Sequence, residues 1–333
     1  MGAALDTSLL TVTTRDKFLS VLKDNVYDLM PTWKVLSAKD RVKDYTGGTA
    51  LAWDVVAARH KPAGLFRGYS VIPNQPANPV VQAKLVNANY VATVSISKEE
   101  MLLNRGNMEK LIDILKTQMQ NAEDTLSELL TQGMFGDGTA VGEFQVIQGL
   151  KAAIKADNTY ANIDRTAAGN AFWKANVDST AYTVLDMKDQ TSPSYMPYVM
   201  QGSYLAASHK GSPDLIVTDK ANFKLYQIIA QMTNLRFDNK EANLGFDSVA
   251  FGPGVQLIFD DYCPASYMFF LNTKDWTLYV IPEANLDFDK NEEGSIWLQP
   301  TDQLAKLAHI IWMGQLRLDT PRRQAVLTSL GAS

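Results

Sequence analysis

The chain has 333 residues, of which 46% are hydrophobic and 20% are charged, a composition typical of folded globular proteins and long enough for about two domains. Its formal net charge of −5 disfavours a dedicated nucleic-acid-binding protein, which would normally carry a basic face. No apolar run is long enough to span a membrane, the N-terminus lacks a secretory signal pattern, and a single cysteine, Cys263, excludes an intrachain disulfide. We therefore expect a soluble protein that folds under reducing conditions.

The N-terminal part of the chain predicts a segment too small to have a core of its own. Residues 1–38 carry scattered apolar positions, with a short helix predicted over 14–26 and ended before Pro31. Strands are predicted next at 49–57 and 84–97, each with side chains of alternating polarity. One face of the second strand is predicted to carry Val86, Ala88, Tyr90, Ala92, Val94 and Ile96.

Between these two strands lies a stretch rich in proline and glycine, from Pro62 to Pro79. Proline at this density is incompatible with a central strand, and so long an irregular tip is unusual in a compact domain. We predict a β-hairpin arm that projects from the body and buries its apolar residues on another surface. An ordinary surface loop remains the alternative.

The longest predicted element is an amphipathic helix over 107–132, which follows a helical turn at 97–103. Apolar residues recur every three or four positions from Met108 to Leu130, whereas the opposite face, including Ser127, is polar. Asn107 suits the N-cap, and Gly133 suits a left-handed C-terminal cap. A bundle helix is the alternative, but the chain has no equally long partner, so we expect a β-rich layer against the apolar face.

The remainder of the chain predicts alternating helices and strands. Helices are predicted at 195–208 and 220–232, a buried strand at 214–219, and an interrupted strand at 251–259. Segments 267–271 and 276–281 predict a strand pair joined across 272–275, and the last long strand is predicted at 304–318.

The residues that usually carry chemistry do not converge in the sequence. His60, His209 and His309 lie far apart, and Cys263 has no catalytic signature and is expected to be an inert thiol. The glycines after the long helix close a helix instead of opening one, which argues against a phosphate-binding loop. The acidic run from Asp287 departs from a calcium-binding loop, because Glu292 stands where glycine is needed. We therefore expect no catalytic residue, no cofactor site and no metal site.

One short stretch carries a family resemblance. In order it contains Gly149, Leu150, Ile154, Tyr160, Ile163, Asp164, Arg165, Thr166, Asn170 and Trp173. This pattern, together with the order of the surrounding elements, resembles the major capsid proteins of tailed double-stranded DNA phages, which have the Hong Kong 97-type fold. The order of elements agrees over nearly the whole chain, whereas the motif itself covers only this stretch.

The resemblance implies an α+β fold with an N-terminal arm, an extended β-hairpin loop, a long spine helix, a peripheral domain and an axial domain. The implied boundaries are the N-terminal arm at 1–38, the extended loop with its base strands at 39–96, the peripheral domain at 97–185 with the spine helix at 107–132, the axial domain at 186–262, and the return to the peripheral sheet with the C-terminal tail at 263–333.

By the same resemblance, the chain is expected to be a major capsid protein and not an enzyme. Copies would assemble into hexamers and pentamers of an icosahedral shell that encloses double-stranded DNA without sequence-specific binding. A separate scaffolding protein, a portal and decoration proteins are expected partners, with assembly in the host cytoplasm, final location in the virion, and no membrane contact. Candidate inter-subunit contact residues on the arm are Arg59, His60, Lys61, Phe66, Arg67 and Tyr69, although a solvated charge cluster is the alternative for the basic ones.

Two other functions remain open at this point. An encapsulin-like bacterial compartment shell would share the fold and package cargo enzymes instead of DNA. A soluble α/β enzyme is the more remote alternative, and it would need a pocket of converging titratable groups.

Overall fold

The computed structural model describes residues 31–32, 35, 41–58, 65, 67–69, 79–103, 108–142, 144–232, 248–252, 254–290, 294–300 and 304–332. The helix predicted over 14–26 and the N-cap predicted at Asn107 lie outside these residues. Within them the chain mixes helices and strands, as the α+β expectation requires.

The helices and strands are numbered here in chain order. The strands are β1 (Val42–Asp44), β2 (Ala50–Val56), β3 (Val80–Val86), β4 (Ala88–Ser97), β5 (Thr159–Tyr160), β6 (Ile163–Asp164), β7 (Asn176–Asp178), β8 (Tyr182–Thr183), β9 (Leu215–Thr218), β10 (Ser248–Gly252), β11 (Val255–Phe259), β12 (Met268–Leu271), β13 (Trp276–Phe288), β14 (Ala305–Leu318), β15 (Ala325–Leu327) and β16 (Leu330–Ala332). The helices are α1 (Lys98–Leu103), α2 (Met108–Phe135), α3 (Leu150–Ala153), α4 (Val184–Lys188), α5 (Met196–Ala207) and α6 (Lys220–Met232). Short 3-10 turns lie at Asn170–Trp173, Thr273–Asp275 and Pro321–Arg323.

The chain forms two compact units, each built from separate segments. The first unit comprises Met1–Gly47, Asn87–Gln148 and Thr277–Leu316. The second unit comprises Gly48–Val86, Gly149–Trp276 and Arg317–Ser333.

A four-stranded sheet in the order β1-β13-β14-β4 forms the body of the first unit, and helix α2 packs on strand β4. β1 pairs with β13 in parallel, and β14 pairs with β4 in antiparallel register from Ala305 opposite Ser97 to Gly314 opposite Ala88. Alternate residues of β4 and β14 are buried, including Val94, Ile310 and Trp312. The prediction that a β layer covers the long helix is therefore confirmed.

The buried side of α2 differs in detail from the predicted apolar face. Met119, Leu126 and Leu130 are buried as expected, but Leu129 is exposed and Ser127 is buried. Ser127 follows Leu126 at the border of the buried face. Its neighbour one turn later, Thr131, is also buried and donates its hydroxyl hydrogen to the Ser127 carbonyl at 2.8 Å. Serine and threonine are small enough to be accommodated on the buried side of α2.

The predicted C-terminal cap at Gly133 is wrong, because α2 continues through Gly133 to Phe135. A Cβ atom at position 133 would lie 2.6 Å from the Tyr90 hydroxyl oxygen. That hydroxyl accepts a hydrogen bond from the Ile147 backbone N–H at 3.2 Å, and the Tyr90 ring packs edge-on against Trp312. Glycine at this position allows a close approach of helix and strand.

A six-stranded sheet in the order β10-β11-β9-β12-β15-β7 forms the body of the second unit. Its central strands β9 and β12 are buried along their whole length. Helices α5 and α6 contribute Met200, Phe223 and Tyr226 to a core shared with Ile216 and Phe270 of the sheet. α6 has the predicted bounds, and α5 carries Pro197 in its first turn, where proline is tolerated.

Two further predictions failed, and both concern which strands pair. The segment predicted as one strand over 84–97 is two strands that break at Asn87, because the buried positions change from odd numbers in β3 to even numbers in β4. Val86 is consequently exposed instead of buried. The predicted pair of 267–271 with 276–281 does not form either, since β12 pairs with β9 and β15 whereas β13 belongs to the other sheet.

Candidate inter-subunit surfaces

The hairpin formed by β2 and β3 is the stem of the predicted arm. The strands pair in antiparallel register from Ala50 opposite Val86 to Val56 opposite Val80, and the Ala57 N–H donates to the Pro79 carbonyl at 2.6 Å. One face of the stem is buried and carries Leu51, Trp53, Ala83 and Leu85. At its outer end Val56 and Val80 are exposed, so burial decreases toward the tip.

The candidate contact residues on the arm are only partly described. Arg59, His60, Lys61 and Phe66 lie outside the described residues. Tyr69 is fully exposed, Arg67 is exposed, and the turn between them has Gly68 in a left-handed conformation with φ of 54°. Leu65 is also fully exposed. The contact role of all six arm residues stays a prediction.

A cleft of about 400 Å³ lies beside residues 53–56 of the hairpin stem. Its lining includes Trp53, Phe172, Arg317 and Arg322. The Arg317 guanidinium lies 4.7 Å from the centre of the Trp53 ring and donates a hydrogen bond to Asp319 at 2.5 Å. A cation–π contact between Arg317 and Trp53 therefore links the stem to the end of β14.

Two further surfaces expose large apolar side chains that the sequence analysis did not single out. After α2, Val141 and Phe144 pair across a tight turn and are 68% and 75% exposed. On α5, Tyr198 and Leu205 are 57% and 60% exposed and lie on the same side of the helix as Gly202, and the helix contains no charged residue. A helix in contact only with water normally presents charged side chains, so this face is suited to contact with another protein surface.

The residues of the family motif form a buried structural cluster around Arg165. Its fully buried guanidinium donates hydrogen bonds to the Trp173 carbonyl at 3.0 Å, the Ala152 carbonyl at 3.1 Å and the Ala153 carbonyl. It also lies 5.0 Å from the centre of the Tyr160 ring. Burial lowers the pKa of Arg165 to about 10, so the side chain remains charged at neutral pH.

The remaining polar groups of the motif support the same cluster. The Trp173 indole N–H donates to the Tyr160 carbonyl at 3.0 Å, and the Tyr160 hydroxyl accepts from the Leu318 N–H at 3.1 Å. Asp164 accepts two hydrogen bonds from Thr166, which lower the pKa of its carboxyl group, and Asn170 donates to the Asp164 carbonyl at 2.7 Å. The motif therefore fixes a loop of the fold and offers no reactive group to a substrate.

A second polar cluster, centred on Gln324, was not predicted from the sequence. Gln324 is fully buried, and its side-chain oxygen accepts from the Asn272 N–H at 2.8 Å and the Trp276 indole N–H at 3.2 Å. Arg323 next to it pairs with Asp275 at 2.9 Å. These residues tie the segment after β14 to the loop between β12 and β13.

The described side chains that could do chemistry are spread out or buried. Cys263 is buried, and burial raises the pKa of its thiol above the ordinary value. His309 shares a hydrogen bond of 2.9 Å with the Thr93 hydroxyl on the sheet of the first unit. Within the described ranges, no three His, Cys, Asp or Glu side chains come together as a metal site would require. Among the same residues, no helix is long and apolar enough to cross a membrane.

Several solved structures share this arrangement of helices and strands. The capsid asymmetric unit of cyanophage A-1(L) matches 87% of this chain and 90% of its own with a TM-score of 0.60 at 17% sequence identity. This chain has a Hong Kong 97-type capsid fold.

Two other structures with this capsid fold match at lower similarity. The structure of Mycobacterium phage Bobi matches 89% of this chain and 91% of its own with a TM-score of 0.51 at 10% identity. The holo-SrpI encapsulin complex from Synechococcus elongatus matches 91% and 88% with a TM-score of 0.51 at 10% identity. No family model and no curated protein matches the chain.

Proposed function

We propose that this chain is a major capsid protein whose copies assemble into hexamers and pentamers of an icosahedral shell around double-stranded DNA. The observation that carries the proposal is the match to the cyanophage capsid over 87% of the chain, the highest TM-score among the structures compared above. The role is structural and not enzymatic. Assembly takes place in the host cytoplasm, with a scaffolding protein, a portal and decoration proteins as partners.

The exposed apolar residues support this proposal independently of the fold. Among them are residues at the outer end of the hairpin stem, at the Val141–Phe144 turn and along α5, which are three separate elements. A shell subunit contacts several neighbours through separate surfaces, and association through such surfaces is driven mainly by burial of apolar area. An isolated subunit would leave these side chains in water.

We assign the regions of the capsid fold to this chain as the sequence analysis did. Residues 1–38 are the N-terminal arm, 39–96 the extended loop, 97–185 and 263–333 the peripheral domain with the C-terminal tail, and 186–262 the axial domain. The arm residues Arg59, His60, Lys61, Phe66, Arg67 and Tyr69 contact a neighbouring subunit. Extending the hairpin over a neighbour would give the exposed Leu65 and Tyr69 a surface on which to be buried.

The proposal is tested by expressing the full-length chain alone and with its genomic neighbours, followed by light scattering and negative-stain electron microscopy. Closed shells, or free hexamer and pentamer rings, are the expected result. A chain that remains a monomer or dimer under both conditions contradicts the proposal.

The second candidate is an encapsulin-like compartment shell, favoured by the match to the SrpI encapsulin complex at a TM-score of 0.51. Both candidates predict closed shells, so the contents must distinguish them. Particles purified from the native host should contain double-stranded DNA if the chain is a capsid protein. A cargo protein without DNA would instead support the compartment.

A further inference from the structure

A cleft with an excess of positive charge lies at one end of the six-stranded sheet, entirely within the second unit. Strands β9 and β11 begin there and β12 ends there, so three loops meet. The cleft has a volume of about 290 Å³, and we call it the basic cleft. Its polar lining residues are Lys210, Ser212, Asp214, Asn272, Lys274 and Arg323.

Arg323 of the basic cleft is paired with Asp275, which leaves two lysines, Lys210 and Lys274, facing a single carboxylate. Both oxygens of that carboxylate, on Asp214, already accept hydrogen bonds of 2.7 Å from the backbone N–H and the hydroxyl group of Thr273. Among the described residues, neither Lys210 nor Lys274 has a carboxylate within ion-pair distance, and both are exposed. The cleft therefore has a positive charge that its own residues do not neutralise.

A buried amide adds a hydrogen-bond donor without a partner. Asn272 is only 3% exposed, and its side-chain oxygen accepts the Lys274 N–H at 3.1 Å, which fixes the orientation of the amide group. The Nδ2 end makes no hydrogen bond to any described residue, although the side chain lines the cleft. Nδ2 is the end of this largely buried side chain that opens onto the cleft, so it can donate to a ligand that accepts hydrogen bonds.

Arg323 determines which kind of anion fits. Its Nε donates to the His209 carbonyl at 3.0 Å, and one N–H of its Nη1 donates to Asp275 at 2.9 Å, which leaves the second N–H of Nη1 and both of Nη2. Because Nε is occupied, a carboxylate cannot form the side-on pair of hydrogen bonds that uses Nε. Several separate donors around one space suit a tetrahedral anion with more acceptor oxygens, for which lysine is a good partner.

We propose that the basic cleft binds a phosphate group. Lys210 and Lys274 supply charge, and Asn272 Nδ2, Arg323 Nη2 and the Ser212 hydroxyl supply hydrogen bonds. The cleft has room for phosphate and for part of the molecule that carries it, so the source is either free inorganic phosphate or the backbone of a nucleic acid. The site goes beyond shell assembly, which does not require it.

The test is isothermal titration calorimetry on the purified full-length chain at constant ionic strength. Three ligands are compared, namely inorganic phosphate, a short single-stranded DNA and sodium acetate. The cleft variant is Lys210→Gln with Lys274→Gln. The control variant, Lys188→Gln with Lys224→Gln, removes the same charge from two exposed lysines of the same unit. Circular dichroism and a thermal melt check that both variants are folded.

We expect phosphate to bind the parent chain and the control variant equally well, and the cleft variant about tenfold more weakly or worse, since each charged hydrogen-bond partner contributes strongly. Asn272→Asp keeps the acceptor for Lys274 but replaces the free donor by a negative oxygen, so it should also weaken binding. Binding of DNA without free phosphate supports the site with a nucleic acid as its source.

Three results would overturn the assignment: no binding of phosphate or DNA, equal weakening in the cleft and control variants, or acetate binding as tightly as phosphate. Shell formation is scored separately by microscopy. A chain that forms shells without binding phosphate therefore refutes the basic cleft alone, whereas a chain that binds phosphate without forming shells refutes the proposed function alone.

Discussion

Replacing Arg165 by methionine should destabilise the subunit strongly, because three backbone carbonyl groups depend on its guanidinium. A buried polar group left without a partner costs about 1–3 kcal/mol. Removing a buried charge offsets part of that loss, since the desolvation of the guanidinium is no longer required. Three carbonyls without partners would cost about 3–9 kcal/mol at that rate, so after the offset the free energy of unfolding should fall by about 3–5 kcal/mol.

The assay is urea-induced unfolding of dissociated subunits, followed by circular dichroism, because an assembled shell does not unfold in a two-state manner. Arg322→Met is the matched control: it makes the same chemical change at an exposed arginine, and it should alter stability by less than about 0.5 kcal/mol. Arg165→Lys should be intermediate, because an ammonium group cannot reach three carbonyls in the geometry of a guanidinium. A loss below about 1 kcal/mol for Arg165→Met would refute the reasoning, since it would mean that water satisfies the carbonyls or that the loop repacks.

Three further predictions test other parts of the molecule. Replacing residues 58–78 by an Asn-Gly turn joins Ala57 to Pro79, which already meet across the hairpin. The shortened chain should therefore fold with unchanged secondary structure but form no stable shells. Normal particles seen by electron microscopy would refute the role of the arm. Gly133→Ala should lower the free energy of unfolding in urea by about 1–3 kcal/mol despite the better helix propensity of alanine, because its Cβ would lie 2.6 Å from the Tyr90 hydroxyl oxygen. Gly202→Ala is the control, since a Cβ there has open space, and it should be neutral or stabilising in the same assay. The thiol of Cys263 should react with Ellman's reagent only after unfolding in urea, because burial both excludes the reagent and raises the pKa of the thiol; rapid reaction of the native chain would contradict this.

Local sequence patterns predicted those helices and strands in which one periodic pattern runs along the whole element. The bounds of α6 follow from one amphipathic pattern, and the last long strand, predicted at 304–318, is observed as β14 at Ala305–Leu318. Where two elements meet, the same patterns failed. Val86 lies in an apolar alternation that continues into β4, and only the pairing of β3 with β2 shows that it faces solvent.

The polar clusters could not be predicted from the sequence either, and the reason is related. Arg165 was identified within the motif, but nothing in its neighbours indicates that it would be fully buried with carbonyl partners. The basic cleft joins Lys210, Lys274 and Arg323, which are separated by long stretches of sequence and come together only through the order of strands in the sheet. Contacts of this kind depend on topology and not on periodicity.

The position of β15 in the six-stranded sheet limits when a newly made subunit can be completed. β15 lies between β12 and β7, yet it spans Ala325–Leu327, close to the end of the chain, whereas β7 is made much earlier. A ribosome-bound chain therefore cannot join β7 to the rest of the sheet until β15 has emerged. A chain terminated before Ala325 would lack β15, so its β7 would have no neighbouring strand in this sheet.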